Sequence, residues 1–299
     1  MKELYWMKVN RNDTHPIKFQ KYLSFIKDSL KENFPDREWL VTSDDIDIQN
    51  LSNSNSLVPI SIPIEVGVVA YSPFTGEKGI VTLNTLQKEL LRSYKKPKPS
   101  LWVSSRQSGM STMLAEITLD HALHADYLST KILVISNKFI NADEIRLQIL
   151  DILRVKYPDV KILVNNKNEI QLDNRTSITF TGARSTVNSL RGVAYSLIVA
   201  DLVSFYHNSF FEELFQAFPF AYPKIILAST SLGGSNKDFT KAAITKRYQN
   251  FEFDVVRMSV NDIAFLENRE VKENILTRKK WMGEDQYLSE YVAQPKLDN

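Results

Sequence analysis

Apolar residues in the middle of this chain fall in short uninterrupted runs. Lys131–Ser136 reads KILVIS, Ser196–Ala200 reads SLIVA and Lys224–Ala228 reads KIILA. A strand with one wet face would alternate apolar and polar residues, so continuous runs of this length predict strands covered on both faces. Shorter runs at Leu101–Ser104, Lys161–Asn165 and Ser177–Thr181 predict further strands, the last two around turn chemistry at Asp173-Asn174. Helical periodicity fills the gaps, over Ser111–Tyr127, Ala142–Tyr157 and the aromatic stretch Phe210–Phe218. Strand and helix in alternation predict an α/β fold, a mainly parallel sheet flanked by helices.

The flanks read differently. Phe19, Tyr22, Leu23, Phe25, Ile26 and Leu30 lie on one face of a helix expected over Ile17–Asn33. Asn50–Ser56 reads as a loop, Ile60–Ser72 as a strand and Thr85–Tyr94 as a helix ended by Lys95-Lys96-Pro97-Lys98-Pro99. Beyond the alternating region come a strand near Phe251–Met258 and helices near Asn268–Trp281 and Asp285–Val292. The expected organisation is an N-terminal α/β extension over 1–80, a core over 81–245 and a smaller C-terminal subdomain over 246–299.

Composition narrows the chemistry. Of 299 residues, 43% are hydrophobic and 24% charged, ordinary proportions for a soluble globular protein. The absence of cysteine excludes disulfides, thiolate metal sites and cysteine nucleophiles. His121 and His124 stand three apart on an expected helix, a spacing that suits either a shared metal or surface decoration. The N-terminus lacks the build of a signal peptide, and no stretch reaches the roughly 18 apolar residues of a membrane helix. The expectation is a protein that is neither secreted nor membrane-bound. A net charge of +2 neither requires nor forbids a nucleic-acid partner. Lys95, Lys96 and Lys98, and Arg278, Lys279 and Lys280, are clusters that either touch phosphate backbone or are solvated charge.

The strand–loop–helix over Ser104–Thr112 carries the most chemistry. A triphosphate-binding loop needs a strand that stops, a wrap of backbone N–H groups and a helix N-terminus aimed at the phosphates. Gly109 is placed for close backbone approach, and Ser111 or Thr112 for Mg²⁺. The general signature also asks for Gly where Ser104 stands and for Lys where Met110 stands. On that signature alone the segment reads equally as a βα turn with a serine-rich cap.

A specific resemblance goes further. Ser105-Arg106-Gln107-Ser108-Gly109-Met110-Ser111-Thr112 resembles the phosphate loop of tailed-phage terminase large subunits, which also lack the first Gly; only the lysine differs. Further segments match that family in order. Leu86-Gln87-Lys88-Glu89-Leu90 resembles its adenine-contacting Gln motif, where the plain alternative is a helix with one exposed Gln. Ile170–Ile178 resembles the hairpin before the second nucleotide motif. Leu190-Arg191-Gly192, followed by Ser196–Ala200 and Asp201, resembles the step into the Walker B strand. Lys224–Gly234, with Ser229 and Thr230 at the strand end, resembles the coupling motif, and Asp285–Tyr291 the segment that closes the ATPase domain.

The resemblance implies a P-loop NTPase-like (ASCE/RecA-type) sheet, with 246–299 as a lid-like subdomain closing it. It implies nucleotide contacts from Gln87, Ser105, Arg106, Gln107, Gly109, Ser111 and Thr112, with Mg²⁺ held by Asp201 and Ser111. It implies coupling through Arg191, Ser229 and Thr230, with ATP and Mg²⁺ as cofactors if the site functions. The implied partners are double-stranded DNA and the portal or other packaging proteins, a catalytically complete terminase among them. The implied setting is the host cytoplasm during virion assembly. The nuclease domain that follows the ATPase in such subunits has no counterpart here, so no DNA cutting is expected.

Two positions depart from the family. Met110 matches the missing lysine in length but brings neither charge nor donor, and a charge-assisted hydrogen bond is worth about 1.5–3 kcal/mol. Leu202 follows Asp201 where the family places a glutamate base, whose loss removes about 10²–10⁴ in rate. Two readings result. One is a pseudo-ATPase, kept as a binding or regulatory component of viral genome packaging. The other is an active motor ATPase in which Arg106 replaces the lysine and Glu212 or Glu213 approaches the water. A helicase-like ATPase of another lineage would need motifs after Thr230 that the sequence does not carry.

Overall fold

A computed structural model describes residues 4–9, 38–43, 57–59, 64, 67–71, 78–124, 130–183, 192–217, 223–230, 235–259 and 277–292. The helix expected over Ile17–Asn33, the loop Asn50–Ser56, most of the helix expected over Asn268–Trp281, and Arg191 lie outside the described residues. Near the N-terminus, β1 (Leu4–Val9) pairs in parallel with β2 (Glu38–Ser43) and β3 (Leu57–Pro59) as a three-stranded sheet. Next, β4 (Val68–Tyr71) and β5 (Lys78–Val81) form an antiparallel pair. The strand expected over Ile60–Ser72 is thus shorter, with Ile64 in a turn. Gly67, just ahead of β4, sits where an added Cβ would lie 2.6 Å from the Val81 carbonyl oxygen.

After α1 (Thr85–Tyr94) comes β6 (Ser100–Ser104), then α2 (Met110–Leu123), β7 (Lys131–Ser136) and α3 (Phe139–Lys156). A β-meander follows: β8 (Ile162–Asn165), β9 (Glu169–Leu172) and β10 (Ser177–Gly182). Then come β11 (Leu197–Asp201), α4 (Phe210–Ala217), β12 (Lys224–Ser229) and α5 (Lys237–Thr245). A small hairpin of β13 (Arg247–Tyr248) and β14 (Phe251–Glu252) precedes β15 (Asp254–Met258). Helix α6 spans 277–282 and α7 spans Glu284–Tyr291. The strand expected over Phe251–Met258 breaks at Phe253, which turns its ring into the core at 3% exposure. The expected boundary at 80/81 falls within β5, and β15 joins the main sheet although it follows residue 246.

That sheet has eight strands in the order β15-β6-β12-β11-β7-β10-β9-β8. From β15 to β10 every neighbouring pair is parallel, and only the β10–β9–β8 end is antiparallel. This is the mainly parallel sheet flanked by helices that the alternating pattern predicts. β12 lies between β6, which leads into the Ser105–Gly109 loop, and β11, which ends in Asp201.

The period of two along a strand sends alternate residues to opposite faces, and both faces are covered. Trp102, Ile132, Val134, Leu197, Val199, Ile226 and Ala228 face the layer formed with α1, α2, α3 and α7. Their neighbours Leu101, Val103, Leu133, Ile135, Ile198, Ala200, Ile225 and Leu227 face Phe210, Phe211 and Leu214 of α4 and Phe239 of α5. The uninterrupted runs therefore follow from burial on two sides. Helix α2 is buried nearly all round, from Met113 through Leu119. Its Glu116 is buried too, paired with Lys156 of α3 at 2.6 Å. The Val69 N–H donates to Glu116 Oε1 (2.7 Å) and Lys156 Nζ to the Gly67 carbonyl (2.6 Å), tying the β4–β5 pair to both helices. Burial raises the Glu116 pKa, against the lowering influence of Lys156. Among the described residues no helix is long and apolar enough to cross a membrane.

Candidate nucleotide site

Parallel strands place their C-terminal ends at one edge of a sheet. Ser104, Ser136, Asp201 and Ser229 end β6, β7, β11 and β12 there. The loop that leaves β6 is fastened at its start, where the Ser105 N–H donates to the Met258 carbonyl (3.3 Å). Arg106 and Gln107 form its exposed tip, Gln107 in the left-handed region at φ 60°. Ser105 and Ser108 turn inward at 1% and 2% exposure. The Ser108 hydroxyl meets that of Ser104 at 2.8 Å.

Gly109 is the N-cap of α2 at φ 82°, a conformation that favours glycine. The first intrahelical bond runs from Met113 N–H to the Gly109 carbonyl (3.1 Å), so the amides before it have no acceptor within their own helix. Ser111 and Thr112 lie half-buried in this first turn. Met110 is 2% exposed, its sulfur 3.5 Å from Ser104 Oγ. Where the general loop signature has a cation, this one has a buried thioether against the Ser104 hydroxyl.

Gln87, with its plain alternative of an exposed helical residue, is 4% exposed and lies against this loop. It closes a capping box at the start of α1: the Gln87 N–H donates to Asn84 Oδ1 (2.9 Å) and the Asn84 N–H to Gln87 Oε1 (3.1 Å). The remaining groups reach the loop, Gln87 Nε2 donating to the Gly109 carbonyl (3.3 Å) and Asn84 Nδ2 to the Ser108 carbonyl (3.1 Å).

Across the sheet edge, Asp201 is buried at 4% exposure. Ser111 Oγ donates to its Oδ2 (3.4 Å) and the Leu202 N–H to its Oδ1 (2.9 Å). The Asp201 carbonyl accepts from Tyr206 OH (2.7 Å) and from Ser136 Oγ (3.4 Å). Burial raises the carboxyl pKa to about 6, and the two hydrogen bonds work against that rise. Leu202 stands in the left-handed region at φ 60° and ψ 35°, ahead of a 3-10 turn over Val203–Phe205. Ser229 is fully buried, its hydroxyl 2.7 Å from that of Ser204 in this turn, while Thr230 is half-buried.

The two glutamates read as substitute bases have partners beside them on the chain. Glu213 accepts from Ser209 Oγ (2.7 Å), and the exposed Glu212 from Gln216 Nε2 (2.9 Å). The two histidines are engaged separately. His121 bridges Tyr94 OH (3.1 Å) and Ser196 Oγ (3.0 Å), and His124 contacts the Asp120 carbonyl (2.9 Å). Among the described residues no group of three or more His, Asp or Glu is arranged to hold a metal. In the basic clusters, Lys96 pairs with Asp254 at 2.7 Å and Lys98 with Glu252 at 3.0 Å, while Arg278 donates to Tyr291 OH (3.0 Å).

No protein-family model matches the sequence, and the curated proteins give no match. Solved structures do. The large terminase ATPase domain of Thermus phage P74-26 superposes with a TM-score of 0.55 at 12% identity, over 71% of this chain and 94% of that one. The large terminase of another thermophilic bacteriophage gives 0.57 at 11% identity over 71% of this chain, and in its complex with ADP 0.54 at 10%. This chain spans about half, 53%, of that second protein. At such identities the likeness is one of fold: the sheet and its flanking helices are arranged as in phage large-terminase ATPase domains.

Proposed function

We propose that this protein is a terminase large-subunit-like component of viral DNA packaging whose nucleotide site binds ATP but turns it over poorly or not at all. The observation that carries the reading is the split within one site. The Ser111–Asp201 pair spans the sheet edge as a Mg²⁺-nucleotide site requires, while Met110 is buried under the loop and Leu202 follows the acid. Ser111 and Asp201 would hold the Mg²⁺, which would supply charge neutralisation at the β- and γ-phosphates. The loop amides, with Arg106 at the exposed tip, would meet the phosphates. One similar protein has been solved with ADP and also with ATP-γ-S, which supports a nucleotide as the ligand class.

Two losses separate binding from turnover. Without the loop cation, a charge-assisted contact worth about 1.5–3 kcal/mol is gone from the bound state and more from the transition state. Without a base beside Asp201, about another 10²–10⁴ in rate is gone. Glu212 and Glu213 already hold partners on their own helix or at its start, which weakens the case for either as a replacement base. The role that remains is regulatory or structural: a nucleotide-responsive module acting on double-stranded DNA, the portal, or a catalytically complete terminase in the host cytoplasm.

Titration calorimetry with ATP, with and without Mg²⁺, alongside a phosphate-release assay, tests this. Mg²⁺-dependent binding with turnover below about one per minute is the expected result. Steady turnover would replace this reading with that of an active motor using Arg106, and absence of binding would remove the nucleotide site altogether.

A further inference from the structure

The amide of Gln87 faces the phosphate loop, and its contacts there bear on which ligands the site takes. Both ends of that amide are occupied, Oε1 by the Asn84 N–H (3.1 Å) and Nε2 by the Gly109 carbonyl (3.3 Å). At 4% exposure, little of the side chain is open to a ligand. Reading a base edge would require it to leave the capping box and the loop together. We propose that Gln87 is a positioning residue for the loop rather than a base-reading one, and that the site takes its ligand through the polyphosphate without selecting among bases. The inference rests on the nucleotide-site reading above.

Peptide geometry explains how the contact acts. In a trans peptide the carbonyl of one residue and the N–H of the next point in opposite directions. Asn84 Nδ2 holds the Ser108 carbonyl and Gln87 Nε2 the Gly109 carbonyl, so both are turned toward α1. The N–H groups of Gly109 and Met110 are thereby aimed away from α1. Gly109 is required by this contact as well as by its φ of 82°, because an added Cβ would lie 2.7 Å from Gln87 Nε2. With a thioether in place of the loop cation, correctly aimed amides carry a larger share of phosphate recognition. None of these groups reads a base.

The test compares wild type with Gln87→Met, which keeps the length and loses the amide, and with Gln87→Glu, which keeps the acceptor for Asn84 and loses the donor to Gly109. Dissociation constants are measured for Mg-ATP, Mg-GTP, Mg-CTP and Mg-tripolyphosphate, with hydrogen exchange of residues 105–112 in the ligand-free proteins. Wild type is expected to bind all four within about fivefold. Gln87→Met should weaken all four by a common factor of about ten, the equivalent of one hydrogen bond, and speed exchange in the loop, with Gln87→Glu intermediate. Weakening confined to ATP, or an ATP preference above tenfold that Gln87→Met erases, would overturn the proposal. So would unchanged loop exchange in Gln87→Met, whatever binds. Failure of wild type to bind any of the four would instead overturn the nucleotide-site reading and the base-indifference resting on it.

Discussion

Ser111 Oγ donates a hydrogen bond to Asp201 Oδ2 at 3.4 Å, joining the first turn of the helix after the phosphate loop to the end of β11. Ninety positions separate the two residues, and β12 lies between their strands. The pair exists because β6 and β11 run parallel and end at one edge. Its acidic member is buried, so the ligand-free protein carries a carboxyl raised to about 6.

That rise makes stability depend on pH. The folded-state pKa lies about two units above the ordinary value of about 3.9. The folded protein therefore holds a proton that the unfolded chain has released. The resulting stability is fully present below about pH 4 and is lost as pH rises through about 6. Integrated, this one group is worth on the order of 3 kcal/mol. Asp201→Asn removes the titration. Its melting temperature should exceed that of wild type at pH 7.5, and the difference should level off below about pH 4, by calorimetry without nucleotide. The same variant should lose Mg²⁺-dependent ATP binding; retention would place the metal elsewhere.

On the proposed reading, Met110 and Leu202 are the two positions at which ATP hydrolysis should be engineered. Lysine at position 110 would have to lift its ammonium out of the space where the Met110 sulfur now meets Ser104 Oγ. Met110→Lys should therefore lower the melting temperature of the free protein, and Mg-ATP should restore it. Its ATP affinity should rise by about tenfold, one charge-assisted bond, without turnover. Met110→Lys together with Leu202→Glu should hydrolyse ATP in a phosphate-release assay. A tightly binding but inert double variant would show that hydrolysis requires more than these two positions.

Leu202 also carries backbone strain. At φ 60° and ψ 35° it is a non-glycine residue in the left-handed region, which costs roughly 1–2 kcal/mol. Asparagine tolerates that region better. Leu202→Asn should raise stability by up to about 1 kcal/mol in urea denaturation, less whatever the half-buried leucine contributes by packing. A loss above about 1 kcal/mol would show that packing of the leucine outweighs the strain.

How much of this was legible in the sequence follows the range of each interaction. The runs at Lys131–Ser136 and Lys224–Ser229 announce strands because burial on two faces leaves a mark on every residue. The loop after β6, Gly109 at the start of α2 and Asp201 at the end of β11 are legible as positions because a strand that stops and a helix that starts are local features. Gln87 stood out in the sequence, but its contact did not, since that depends on where the start of α1 lands against the loop. The Asn84–Gln87 capping box, by contrast, is local enough for its spacing to encode it. Lys224 begins β12, as its run predicts, but its ammonium has a second role. It donates to the carbonyls of Lys96 (2.8 Å) and Lys98 (2.5 Å), closing the turn that ends α1, a contact no periodicity encodes.

The buried Glu116–Lys156 pair is the largest feature the sequence hid, because on paper each is one charge among many on a helix. Forty positions apart, the two meet at 2.6 Å with side chains 1% and 0% exposed. The Val69 N–H and the Gly67 carbonyl complete the cluster, so β4–β5 depends on it as much as the two helices do. Removing one partner leaves a buried charge uncompensated, at about 3–5 kcal/mol, whereas replacing both by apolar groups of similar volume is often neutral or stabilising. Glu116→Leu and Lys156→Met should each destabilise by that amount in urea denaturation, and the double variant should recover most of the loss. Hydrogen exchange supplies a second readout: Val69 should lose protection in Glu116→Leu, which removes its acceptor, and should remain exposed to exchange in the double variant. Additive losses in the double variant would mean that the pair contributes through packing rather than through charge.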